Sequence, residues 1–151
     1  MTPVADSSET YRGVVYPWQC DHMGHMNVMW YVGKFDEATW VFFNRIGLTR
    51  EFLAAQARGM AAVDQRITYR RELRAGDVVA VDTTLLEVRD KALRFVHRMK
   101  LAGSGEVAAL TMLTAVHLDT ERRKATTLPV DIRSRAEASV GALDLPWDAA
   151  R

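Results

Sequence analysis

From Asn27 to Gly47 apolar residues recur at spacings of three and four, at Val28, Tyr31, Val32, Phe35, Ala38, Thr39, Phe42, Phe43 and Ile46; from Ala61 onward the period drops to two. A face repeated every 3.6 residues belongs to a helix and one repeated every second residue to a half-buried strand. The chain must therefore pack one long helix against a sheet that mostly follows it. Asn27 is suited to N-capping and Gly47 to ending the helix, which gives about five turns. Trp30 and Trp40 stand off the main stripe, so the helix is expected to be covered on more than one side, as a sheet wrapped around it would do.

The flanking segments complete that plan. Tyr11 to Tyr16 reads as a first strand stopped by Pro17. Thr49 to Arg58 reads as a short helix capped by Thr49 and closed by Gly59. The alternating runs are Ala61 to Tyr69, Val79 to Leu85, Leu93 to Leu101 and Glu106 to Leu118. Between them stand the turn segments Arg74 to Asp77, Arg89 to Lys91 and Gly103-Ser104-Gly105, short enough to imply antiparallel neighbours. Pro129 opens a weak helical segment, Val130 to Val140. The expectation is an α+β domain, an antiparallel sheet of about five strands packed against one long helix. Residues 1–10 are read as a flexible N-terminus, 11–140 as a single domain and 141–151 as a tail.

Composition narrows the classes of function. The 151 residues, 48% hydrophobic and 26% charged, suffice for one ordinary core. A membrane span would need about 18 apolar residues in a row, and Lys34, Asp36, Glu37, Asn44 and Arg45 break the longest apolar stretch. MTPVADSSET lacks the basic region and apolar core of a signal peptide, so a cytoplasmic location is expected. A net charge of +1 offers no global field to recruit nucleic acid. The single cysteine, Cys20, rules out an internal disulfide framework, and its carboxylate neighbour disfavours a thiolate.

The chemistry concentrates where the first strand passes into the long helix, in PWQCDHMGHMN. Asp21 stands just before the helix start. First-turn N–H groups have no intrahelical partner and carry the positive end of the helix dipole, so the N–H of Val28 or Met29 can polarise a carbonyl oxygen. Asp21 can then attack that carbonyl or aim a water at it. An Asp in such a loop also caps backbone N–H groups, and spacing alone favours that plainer role. Asn27 can cap the helix or contact a substrate. Tyr31 can line a pocket or pack as a core aromatic. His22 and His25 sit three residues apart, but HMGH lacks a third ligand, so no metal is expected; His25 is read as bracing the loop or lining the site. No serine lies in a Gly-x-Ser-x-Gly elbow.

These residues resemble the 4-hydroxybenzoyl-CoA thioesterase branch of the hotdog-fold acyl-CoA thioesterases. The likeness is carried by Asp21, by Gly24-His25-Met26-Asn27, by Tyr31, and by Phe35, Glu37, Ala38 and Trp40 along the helix. It implies the hotdog fold, with the sheet curled around the helix, and hydrolysis of an acyl-CoA to a free acid and CoA with Asp21 as the catalytic carboxylate. It departs at Gln19, where many relatives carry a second acid. No cofactor is implied beyond the coenzyme A of the substrate, and the expected assembly is a homodimer or homotetramer. Two other activities stay open. One is an enoyl-CoA hydratase or dehydratase, whose His usually follows the Asp by five residues, whereas His25 follows Asp21 by four. The other is a non-catalytic acyl-CoA-binding protein.

Coenzyme A phosphates need cations at the mouth of the site. Candidates are Arg66, Arg70, Arg71 and Arg74, then Arg94, Arg98 and Lys100, and lastly Arg122, Arg123 and Lys124, of which the last cluster is favoured as least constrained by strand alternation. Trp18, Trp30 and Trp40 supply apolar surface for an acyl pocket, or aromatic faces to box a cationic acyl group.

Overall fold

The computed structural model describes residues 8–147. Strand β1 (Glu9–Val14) leads through a single 3-10 turn (Pro17–Gln19) to the long helix α1 (Val28–Arg45) and the short helix α2 (Arg50–Ala55). Strands β2 (Arg58–Tyr69), β3 (Val78–Val88), β4 (Ala92–Leu101) and β5 (Val107–Asp119) follow, then the two-residue β6 (Lys124–Ala125) and helix α3 (Val130–Ala138). The sheet runs β1-β3-β4-β5-β2, with β6 beside β5, and every strand pair is antiparallel. Its concave face holds α1. This is the hotdog arrangement that the motif implied.

Helix α1 forms where its pattern predicts. Asn27 caps it by accepting the Met29 N–H at 3.0 Å, and Gly47, at φ +99°, takes the left-handed conformation that ends it. Its stripe of Tyr31, Phe35, Ala38, Phe42 and Phe43 is buried, each aromatic ring contributing about 2 kcal/mol by leaving water. Phe42 and Phe43 meet Phe95, Leu113, Leu128 and Ile132 in one cluster; Tyr31 and Phe35 meet Val15, Val79, Val81 and Met99 in another. Lys34 lies within the buried stripe, 2% exposed, because its Nζ donates to Tyr11 Oη at 2.9 Å.

Several boundaries differ from expectation for local reasons. The first strand ends at Val14, and Tyr16 caps the 3-10 turn instead of continuing it. Ala57, at φ +52°, makes the reversal after α2, so Gly59, expected to close that helix, pairs with Leu118 inside β2. Pro129 is the N-cap of α3 and not its first helical residue. Of the expected flexible N-terminus, residues 1–7 lie outside the described residues, while Glu9 and Thr10 belong to β1. Of the expected tail, 148–151 lie outside the described residues. Its earlier part is tied down: Gly141 N–H donates to Leu85 O at 2.8 Å, and Leu143, Leu145 and Trp147 pack on Val96, Leu110 and Met112, on the sheet face away from α1. No helix among the described residues is long and apolar enough to cross a membrane.

Candidate active site

Cys20 and Met26 face each other as an isolated antiparallel bridge and close a small loop between them. Inside it Asp21 N–H donates to His25 O at 3.1 Å and Gly24 N–H to Asp21 O at 3.0 Å. Gly24 sits at φ +86°, a conformation that a side chain would strain. The loop is anchored to its surroundings by Met26 N–H to Leu73 O and Asn27 N–H to Gln19 O, at 2.6 and 2.9 Å. The Gln19 side chain is itself occupied, accepting the Tyr16 N–H at 3.0 Å.

This frame fixes the Asp21 carboxylate. Oδ1 accepts the Met23 N–H at 2.9 Å and Oδ2 accepts Asn27 Nδ2–H at 2.9 Å. The hydrogen bond from Asn27, seconded by the Met23 N–H, holds the carboxyl below the usual Asp range. Asn27 thus does two things at once: its carbonyl oxygen caps α1 and its amide N–H steadies the carboxylate. The cap commits the Met29 N–H, so of the two expected oxyanion donors it is the Val28 N–H that meets no protein acceptor among the described residues.

Asp21, His25, Asn27, Val28 and Tyr31 line one cavity of about 350 Å³ whose far wall is Tyr69, Arg70, Arg71 and Glu72. Tyr31 Oη donates to Arg71 O at 3.0 Å, and burial, with Tyr69 close by, pushes the Tyr31 phenol up to about 12. Its ring meets Tyr69 edge to face, centroids 5.1 Å apart. His25 Nε2 lies 3.4 Å from Glu72 Oε1. The structure therefore brings together five of the expected residues and adds a wall that strand alternation did not single out.

Two expectations are not met in one chain. Trp18 is 68% exposed and stacks on Tyr16 at 4.5 Å, outside the Asp21 cavity. Arg122, Arg123 and Lys124 sit around the β5–β6 turn, which follows Asp119; Tyr69, beside the cavity, pairs with Ala109 at the other end of β5. At ten residues of strand the separation is about 33 Å. The cations beside Asp21 are Arg70 and Arg71 instead. Arg71 is paired with Glu106, whereas the Arg70 guanidinium has no ion-pair or hydrogen-bond partner among the described residues. They were among the candidates in the sequence, but only the end of β2 at Tyr69 distinguishes them, and that end is set by pairing with β5. Among the described residues no three His, Cys, Asp or Glu side chains gather as a metal's ligands would.

The model of the thioesterase-like superfamily matches residues 15–136, from the end of β1 into α3. The chain belongs to this superfamily. A betainyl-CoA thioesterase of Pseudomonas aeruginosa is 27% identical over 129 residues, covering 85% of this chain and 81% of that protein. An L-carnitine dehydrogenase/betainyl-CoA thioesterase of Agrobacterium fabrum is 31% identical over 109 residues, covering 72% of this chain and 22% of that longer protein. A Staphylococcus aureus protein solved in complex with CoA shares the fold, with a TM-score of 0.85 at 18% identity, over 95% of this chain and 92% of that one. Thioester hydrolysis, the expected enzyme class, is the chemistry of the superfamily.

Proposed function

We propose that this protein hydrolyses an acyl-CoA thioester to a free acid and CoA at the Asp21 cavity. The observation that carries this reading is that Asp21, held in its charged form, and Val28, whose helix N–H is uncommitted, line one cavity, with Asn27 bonded both to the carboxylate and to the Met29 N–H of the helix's first turn. Asp21 takes a proton from water, the resulting hydroxide adds to the thioester carbonyl, and the oxyanion so formed receives the Val28 N–H. Collapse expels the CoA thiolate, which is then protonated. In the covalent variant Asp21 itself adds to the carbonyl, thiolate leaves, and water cleaves the mixed anhydride. Arg70, unpaired at the rim, is the cation offered to the CoA phosphates.

The named activity of the two relatives favours a short acyl group bearing a quaternary ammonium. A homodimer through the β2 edge of the sheet accords with the open side of that strand and with exposed Val63, Met29 and Trp40.

Thiol release from a panel of CoA esters with short, long, branched, aromatic and cationic acyl groups tests the reading. Turnover of at least one ester is expected, with Asp21→Asn lowering it by about a thousandfold while the variant stays folded. Full activity in Asp21→Asn, or no release from any ester, would overturn it.

A further inference from the structure

Resting on that reading, we propose that Tyr69 and Glu72 form a receptor for the quaternary ammonium of the acyl group and so set the substrate preference. In a trimethylammonioacetyl thioester a single methylene separates the cationic nitrogen from the carbonyl carbon. Whatever recognises the cation must therefore share the cavity of Asp21. None of the three tryptophans that the sequence offered for this task lines it: Trp18 is stacked on Tyr16 outside it, Trp30 packs against the core cluster of Tyr31 and Phe35, and Trp40, twelve residues after Val28, lies about 18 Å along the helix axis.

A quaternary ammonium has no N–H to donate, so hydrogen-bond acceptors gain nothing special from it; aromatic faces and carboxylates do. The cavity holds both. Tyr31 is 4% exposed with its hydroxyl committed, while its partner Tyr69 is 47% exposed and keeps ring surface open to the cavity. Glu72 stands next to it with a 64% exposed side chain, and its carboxylate lies 3.4 Å from His25 Nε2. Of the permanently charged groups on the lining, Arg71 is paired with Glu106, leaving the carboxylates of Asp21 and Glu72 against the guanidinium of Arg70; His25, beside Glu72, adds a positive charge only when protonated. With Arg70 turned to phosphate and the His25 ring unprotonated, the acyl end is anionic. Such a wall favours a cationic head, tolerates a neutral one poorly and repels a carboxylate.

The test compares two esters of equal shape, trimethylammonioacetyl-CoA and its uncharged isostere 3,3-dimethylbutanoyl-CoA. The expected kcat/KM ratio is about 100 in favour of the cation, falling about tenfold in Glu72→Gln and in Tyr69→Leu. Equal rates for the two esters in the unaltered protein, or a ratio that neither variant moves, would overturn the receptor while leaving the thioesterase intact. The preference is also read from equilibrium dissociation constants of the two esters on Asp21→Asn protein, where Tyr69 and Glu72 still favour the cation by about tenfold although the Asp21 charge is gone. A failure of catalysis is thereby told apart from a failure of recognition, and a binding ratio near one counts against the receptor whatever the turnover. Glu72→Gln, on an exposed side chain, keeps the test decisive if Tyr69→Leu disturbs the packing of Tyr31.

Discussion

Asp21 and His97 are each gripped by two hydrogen bonds, and the molecule treats them in opposite ways. Asp21 is partly exposed, accepts from Met23 N–H and Asn27 Nδ2–H, and is held in its charged form. His97 is fully buried between Thr39 of α1 and Thr83 of β3, at 2.8 and 2.7 Å, and burial brings its imidazole down to about 3. Thr39 donates its own hydrogen to Phe35 O, so it accepts from His97 Nε2–H. Thr83, on Nδ1, also shares a hydrogen bond with the Thr10 hydroxyl, which ties β1 into the same buried chain. Charge is kept where water and two N–H groups share it, and refused where a neutral ring completes a chain of hydroxyls. Only the first arrangement is available for chemistry; the second joins helix to sheet.

The contrast breaks most sharply under exchange of roles. Asp21→Asn should cost about three orders of magnitude in kcat and little stability, whereas His97→Ala should cost about 3 kcal/mol of stability and leave kcat per folded molecule within about twofold. Urea unfolding beside thiol-release kinetics measures both; loss of turnover in folded His97→Ala would abolish the distinction.

Next in size is the dependence of stability on acid. The imidazole of His97 binds a proton near pH 6.5 when unfolded but only near 3 when folded. The unfolded chain thus binds more protons between those values, and stability falls with falling pH by up to about 1.4 kcal/mol per unit from this one group. His117, also lowered by burial, acts in the same direction. Unfolding free energies at pH 7.5, 6 and 5 should decline in the unaltered protein and less steeply in His97→Gln; parallel declines would remove His97 from the account.

Asn27→Ala sharpens the Asp21 side. Its hydrogen bond is the largest cause of the lowered carboxyl, so the acid limb of kcat/KM should move to higher pH and kcat should drop about tenfold. An unmoved limb would mean that Asp21 is not the titrating group. The smallest effect concerns coenzyme A: Arg70→Ala should raise KM about fivefold, while replacing Arg122, Arg123 and Lys124 together with alanine should leave it within about twofold, as read from initial rates. The reverse order would place the phosphates at the β5–β6 turn.

Much of this was legible because it is local. Asn27 and Gly47 bound α1 through a cap and a left-handed glycine, both properties of a few adjacent residues. The motif around Asp21 pointed to a carboxylate beside a helix start for the same reason. Other features resisted. Ala57 makes a turn usually left to glycine, because β2 must begin at Arg58 to pair with Asp119. Met29 looked as able to bind an oxyanion as Val28 until the cap claimed its N–H.

By itself the sequence determined the element types, the place of Asp21 just before a helix start, and the single long helix on which the sheet closes, since periodicity and capping act within a few residues of one another. Tertiary structure alone decided which cations and aromatics join Asp21. Antiparallel register sends Arg122, Arg123 and Lys124 to the far end of β5 and brings Tyr69, Arg70 and Glu72 to the helix start, because pairing between distant strands, unlike a cap or a turn, is settled by the burial of a whole face at once.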